Sequence, residues 1–142
     1  MEEGYKPVLL VEDNPADEER VLQAFRKNDM EHIVHVARDG MEALLYLYGS
    51  LEKPHLRWPA PKLVLLDLRL PRVDGLEVLQ KIRMFPDSKH LSVIIFTASR
   101  EEHDKEQATA LHIDGYFLKP EDEKEFPKIM ETIGLTWLIT NQ

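Results

Sequence analysis

No cysteine occurs among the 142 residues, which excludes a disulfide framework, a cysteine nucleophile and any thiolate-held metal. No apolar run approaches the ~20 residues that a membrane helix needs. The opening Met1-Glu2-Glu3-Gly4 is acidic and holds no apolar signal core, so a cytoplasmic location and no membrane partner are expected. Neither a glycine-rich phosphate loop nor a Gly-x-Ser-x-Gly elbow is present, so P-loop and serine-hydrolase chemistries lack their motifs. Basic residues are the minority, 18 against 26 acidic, for a net charge of −8. A field of that sign repels phosphate backbones, so no nucleic-acid partner is expected. What is present is the balance of a soluble globular protein, 31% charged and 43% apolar. The length suits one domain, and at this size about two-thirds of the unfolded surface can be buried.

Short apolar runs alternate with segments of helical period. Val8-Leu9-Leu10-Val11 reads as a buried strand meeting the loop Glu12-Asp13-Asn14-Pro15. Residues 16–28 carry Val21, Leu22 and Phe25 on one stripe, which predicts a helix. Ile33, Val34 and Val36 suggest a second strand, stopped by Asp39-Gly40, and residues 41–48 a second helix. Residues 49–61 hold three prolines and read as a long loop anchored by Trp58. Leu63-Val64-Leu65-Leu66 is the clearest central strand and ends in Asp67. Pro71 and Asp74-Gly75 precede a third helix with Leu79 and Ile82 inward. Val93-Ile94-Ile95-Phe96 closes on Thr97-Ala98-Ser99, and residues 101–112 form a charged fourth helix with little apolar surface beyond Ala108 and Leu111. Its thin stripe suits an element that shifts easily. Tyr116-Phe117-Leu118 ends in Lys119-Pro120, and a last helix starts from about Asp122, where Asp122 and Glu125 have capping-box spacing.

Five strands alternating with five helices imply an α/β fold. Strands apolar on both faces imply a parallel sheet covered on both sides, and right-handed crossovers make it doubly wound. The binding crevice of such a sheet lies outside the carboxyl ends of its strands. Glu12 and Asp13 close the first strand, Asp67 the third, Thr97 the fourth and Lys119 the fifth. Taken singly, each has a plain structural reading: a strand-end cap for Asp67, an acidic offset to a helix dipole for Glu12-Asp13, a helix cap for Thr97 and a turn for Lys119-Pro120. Together they would meet in one crevice. Three clustered carboxylates repel one another, and a divalent cation with oxygen ligands, Mg²⁺, relieves this. A carboxylate can attack a phosphoryl group and form an aspartyl-phosphate, with catalysis mostly by positioning and charge neutralisation. Asp67 is then the nucleophile, Asp13 and Glu12 hold the metal, Lys119 holds the incoming anion, and the Thr97 hydroxyl donates to a phosphoryl oxygen. The six histidines show no metal-ligand spacing; His32 and His35 are expected on opposite faces of a strand.

These residues carry a family resemblance. Leu9-Leu10-Val11-Glu12-Asp13-Asn14, Leu65-Leu66-Asp67-Leu68-Arg69-Leu70-Pro71 with Asp74-Gly75, Thr97-Ala98-Ser99 and Lys119-Pro120 resemble response-regulator receiver domains, in order and over nearly the whole chain. The resemblance implies a flavodoxin-like sheet of order 2-1-3-4-5 and phosphorylation by a sensor histidine kinase. It implies Asp67 as phosphoacceptor, Asp13, Asp67 and the Arg69 carbonyl as Mg²⁺ ligands with Glu12 assisting through water, and Thr97 and Lys119 on the phosphoryl group. Tyr116, which also reads as a half-buried strand aromatic, sits where the family keeps its switch aromatic. Arg69 and Ser99 flank the site at positions that gate hydrolytic water, and are expected to tune phosphoryl lifetime.

Within the family the chain is similar to single-domain regulators that partner bacterial phytochromes. The features are Asn14-Pro15-Ala16-Asp17, the loop 49–61, and the stretch from Glu125 to Thr140 with Trp137-Leu138. This implies a single receiver domain over 1–142 and a homodimer through the last helix and its extension, about 122–140. The ending Thr140-Asn141-Gln142 departs from that group. So does Pro127, which should kink the last helix unless it lies in the first turn. The protein is thus expected to signal by binding, not as an enzyme, with self-phosphorylation and autodephosphorylation as its chemistry. The main alternative is a Mg²⁺-dependent phosphohydrolase of the haloacid-dehalogenase type. That chemistry needs a second acid two positions after the nucleophile, where Arg69 stands. A flavin-binding flavodoxin and a receiver-like module that is never phosphorylated complete the alternatives.

Overall fold

Each of the five apolar runs forms a strand: β1 Val8–Val11, β2 Val34–Ala37, β3 Leu63–Leu66, β4 Val93–Thr97 and β5 Gly115–Leu118. The structure, a computed structural model, describes residues 6–50, 55–57 and 59–140. The strands form one sheet of order β2-β1-β3-β4-β5 with every neighbouring pair parallel. Five helices cover it: α1 Pro15–Arg26, α2 Gly40–Tyr48, α3 Gly75–Met84, α4 Glu102–Thr109 and α5 Phe126–Thr140. The doubly wound sheet, its strand order and the number of helices match expectation.

Alternation along the strands divides the core. Leu9, Val11, Val64, Leu66, Val93 and Ile95 face one layer with Leu44, Leu47, Leu79, Ile82 and Ala108 of α2, α3 and α4. Val8, Leu10, Leu63, Leu65, Ile94 and Phe96 face the other, against Val21 of α1 and Phe126, Met130 and Ile133 of α5. Strands buried on both faces have no polar alternation to show, which is why they read as continuous apolar runs.

Helix starts follow local chemistry. Asn14 accepts from the backbone N–H groups of Ala16 and Asp17 at 2.9 and 3.1 Å, and Pro15 opens α1; both are favoured there because the first N–H groups have no helical acceptor. Asp39 caps α2 through the Glu42 N–H at 2.8 Å. Gly49, at φ 72°, ends that helix in a conformation that suits a residue without Cβ.

Three expectations are corrected. Ile33 and His32 belong to a 3₁₀ turn, Glu31–Ile33, so His32 is not on the strand. His35 alone is in β2, where its Nδ1 lies 2.9 Å from the Tyr46 hydroxyl. The fourth helix ends at Thr109 rather than at 112, since the chain turns and places His112 at φ 58°. The Asp122 carboxylate accepts from the Lys124 N–H at 3.0 Å, opening a 3₁₀ turn Glu123–Glu125 instead of a capping box with Glu125. Pro127 is the second residue of α5, where a missing N–H leaves no helical bond unmade. Trp137 packs half-buried on the second core layer, with the Lys62 Nζ 5.2 Å from its ring centre. Trp58, the expected loop anchor, and the side chain of Leu138 lie outside the described residues.

Candidate functional site

Parallel register brings the polar strand ends to one edge. β1 and β3 end level, Val11 beside Leu66, so Glu12 and Asp67 follow side by side. Thr97 pairs with Leu118, and the Lys119 N–H donates to the Thr97 carbonyl at 2.7 Å. Lys119 therefore starts beside Thr97 and reaches back across the edge. Its Nζ lies 2.9 Å from Asp67 Oδ2 and 2.9 Å from both carboxylate oxygens of Glu12.

The carboxylates of Glu12, Asp13 and Asp67 bring one oxygen each within 4.8 Å of one another. Glu12 and Asp67 are buried and Asp13 is exposed. Adjacent oxygens around an octahedral Mg²⁺ stand about 3.0 Å apart and opposite ones about 4.2 Å, so these carboxylates are near enough to share such an ion by closing inward on it. Their all-oxygen donor set suits a hard cation. The Arg69 N–H donates to Asp67 Oδ1 at 3.2 Å, which sets the backbone of residue 69 against the cup.

The electrostatics follow from burial. Glu12 is 1% exposed, and burial pushes its carboxyl up to about 7, with the Lys119 ammonium pulling the other way. Burial alone would lower Lys119. The carboxylates of Asp67 and Glu12 outweigh it and hold the ammonium above its ordinary range. The site thus keeps a fixed cation where an anion would arrive.

Thr97 is fully buried, and its Oγ1 accepts from the Ser99 N–H at 3.2 Å. Tyr116 lies beside Ile95 in the sheet register. Its hydroxyl is buried and has no hydrogen-bond partner among the described residues. Burial raises this phenol, and the charge of Asp104 raises it further. The Arg69 guanidinium points to Glu101, at 2.9 Å, and to Asp104. The position where a haloacid-dehalogenase-type enzyme needs its general acid is therefore a cation engaged elsewhere.

Two residues escaped the sequence reading as parts of the site. Asp17 places Oδ2 2.9 Å from Lys119 Nζ and Oδ1 2.9 Å from Arg20. The Asn14 cap was its signal, because it fixes the first turn of α1 over the end of β1. Asp104 accepts from both Arg69 and Ser99. Its signal was a position four before Ala108, which puts both on one helix face.

Comparison with known proteins agrees with this arrangement. The family model described as "Response regulator receiver domain" matches residues 8–131. Response regulator Rcp1 of Synechocystis sp. strain PCC 6803 is 36% identical over 95% of this chain and 90% of its own. The crystal structure of the phosphorylated cyanobacterial phytochrome response regulator RcpA gives a TM-score of 0.86 at 35% identity, covering 98% of each chain. The Mn²⁺-bound form of Rcp1 gives 0.85 at 36% identity, covering 96% of this chain and 97% of that one. Similarity along almost the full length, on a sheet whose strand ends gather an acidic cup and a lysine, makes this chain a member of the response regulator receiver domain family of signalling domains.

Proposed function

We propose that the chain is a phosphoryl-accepting switch of a two-component system, loaded on Asp67 by a sensor histidine kinase of the phytochrome type. The observation that carries this is the contact of Lys119 Nζ with Asp67 Oδ2 at 2.9 Å beside the Glu12–Asp13–Asp67 cup. The relatives add support: one is a phosphorylated phytochrome response regulator and another holds Mn²⁺.

Asp13, Asp67 and the Arg69 carbonyl would hold Mg²⁺, with Glu12 acting through water. Bound there, the ion neutralises charge on the phosphoryl oxygens. An Asp67 carboxylate oxygen attacks phosphorus, the new O–P bond forms, and the P–N bond to the kinase imidazole breaks with its electron pair left on nitrogen. Lys119 leaves its carboxylates to pair with the added anion. Thr97 turns its hydroxyl to donate to a phosphoryl oxygen, and Tyr116 reports that movement to the outer face. The same site, opened to water, hydrolyses the acyl phosphate, with Arg69 and Ser99 setting the lifetime. A single receiver domain over 1–142 then signals through its surface. A homodimer through α5 is part of this reading, supported by the exposure of Leu135 on that helix.

Incubation with Mg²⁺ and acetyl phosphate should add one phosphoryl group by intact mass, and none to Asp67→Asn. A modified Asp67→Asn protein would sink the assignment. Mg²⁺ alone should raise Tm. A ligand at a hundredfold excess over its Kd contributes about 2.7 kcal/mol, roughly 10 °C for a domain of this size. Asp13→Ala, on an exposed residue, should lose most of that shift in a thermal melt with and without Mg²⁺. An equal shift in both proteins would remove Asp13 from the metal site.

A further inference from the structure

We propose that Asp104 is a positioning residue that latches α4 to the unphosphorylated site, and that phosphorylation of Asp67 opens the latch. The inference rests on Asp67 being the phosphoacceptor, and adds the device by which its state reaches α4.

α4 is weakly anchored by apolar contact. Of its eight residues only Asp104 and Ala108 are buried. A buried carboxylate is unfavourable unless it is paired and hydrogen-bonded, and Asp104, 4% exposed, is both. Its Oδ2 accepts from the Ser99 hydroxyl at 2.6 Å and from the Arg69 guanidinium. Each donor is tied by its own backbone to a site residue. The Arg69 N–H donates to Asp67 Oδ1, and the Ser99 N–H donates to Thr97 Oγ1, both at 3.2 Å. A continuous chain of hydrogen bonds therefore runs from Asp67 through Arg69, Asp104 and Ser99 to Thr97. The far end of α4 is held independently. Arg83 donates to the carbonyls of Leu111 and His112, just after the helix, and to those of Lys89 and Leu91. The helix is thus pinned behind and latched in front.

A phosphoryl group on Asp67 acts on both donors. Its negative charge draws the half-exposed Arg69 guanidinium, and its oxygens recruit the Thr97 hydroxyl that now accepts from Ser99. Asp104 then loses its cation while still buried. Water is the better place for an unpaired carboxylate, so the first turn of α4 swings outward about its Arg83-held end. The buried Tyr116 hydroxyl, which has no hydrogen-bond partner among the described residues, feels the Asp104 charge that this movement displaces.

The test compares wild type with Asp104→Asn and Ser99→Ala, using Glu106→Gln on the exposed face of the same helix as control. Hydrogen exchange of α4 is followed before and after acetyl phosphate and Mg²⁺, together with the rate of phosphoryl uptake. In unphosphorylated Asp104→Asn, α4 should exchange as fast as in the phosphorylated wild type. Uptake should quicken on the order of five- to tenfold, the size of an ordinary coupling between sites. Ser99→Ala should move both readouts the same way by less, which keeps the test valid if Asp104→Asn folds poorly. Glu106→Gln should change neither. Unchanged α4 exchange in Asp104→Asn or Ser99→Ala overturns the latch, and α4 protection retained in phosphorylated wild type overturns its release. Wild type that takes up no phosphoryl group removes the phosphoacceptor reading and the release with it, while exchange in the unphosphorylated variants still decides the latch.

Discussion

Replacing Lys119 with Met should destabilise the metal-free protein by about 3–5 kcal/mol, the usual result of removing one partner from a buried ionic cluster. The side chain lies within 2.9 Å of carboxylate oxygens on Glu12, Asp17 and Asp67. Met fills similar volume, so the loss is electrostatic rather than a cavity. Three acids are left facing one another, two of them almost without access to water. Two further arms separate this cause from a general packing fault. Saturating Mg²⁺ should return much of the stability, because it brings positive charge to the same carboxylates. A Glu12→Gln background should soften the loss, since residues in one network do not add independently. Urea unfolding with and without Mg²⁺ measures all three. A Lys119→Met protein as stable as wild type, or equally unstable in every arm, would refute the charge-balance account. The residue that secures the acidic cup is also the one the phosphoryl group must win over, so stability and switching draw on the same contacts.

The fold was legible because the central strands β1, β3 and β4 are buried on both faces and each apolar run ends abruptly at a polar residue. Val8–Val11 and Leu63–Leu66 are apolar throughout and end at Glu12 and Asp67. The strand-end rule for doubly wound sheets then brings Glu12, Asp13, Asp67, Thr97 and Lys119 to one edge without any knowledge of side-chain direction. What escaped depended on local turn chemistry or on charge. Ile33 is as apolar as its neighbours, yet the backbone curls into a 3₁₀ turn there and still buries it. Asp104 looks like one more acid on an acidic helix; its pairing with Arg69, 35 positions earlier, and with the Ser99 hydroxyl makes its burial favourable. Asp17 joins Lys119 across more than a hundred positions. Hydrophobic period marks what is buried for its apolarity, and is silent about acids buried for their partners.

Gly75→Ala should be among the most damaging small substitutions in the chain. A Cβ there would lie 2.1 Å from the Asp67 carbonyl oxygen and 2.5 Å from Leu68 Cα. Both are backbone atoms at the mouth of β3, held by the sheet and by the Gly75 N–H donating to the Leu68 carbonyl at 2.9 Å. No rotamer change relieves such a contact, so either the carboxyl end of β3 or the start of α3 must move. Inserting one carbon into a tight site costs typically 1–3 kcal/mol, occasionally more, and a clash with fixed backbone places this case at about 3 kcal/mol or above. The same substitution at Gly134 meets nothing within 4 Å, in an exposed turn of α5. There a helix-interior glycine becomes alanine, which should stabilise by about 0.5–1 kcal/mol. Parallel denaturation of the two variants gives opposite signs if close approach is the cause. Gly75→Ala should also slow phosphoryl uptake from acetyl phosphate even under conditions where it stays folded, because the atoms that must yield are the backbone of Asp67 itself. Normal uptake in a destabilised Gly75→Ala protein would show that the strain is taken up by α3, leaving the phosphoacceptor in place.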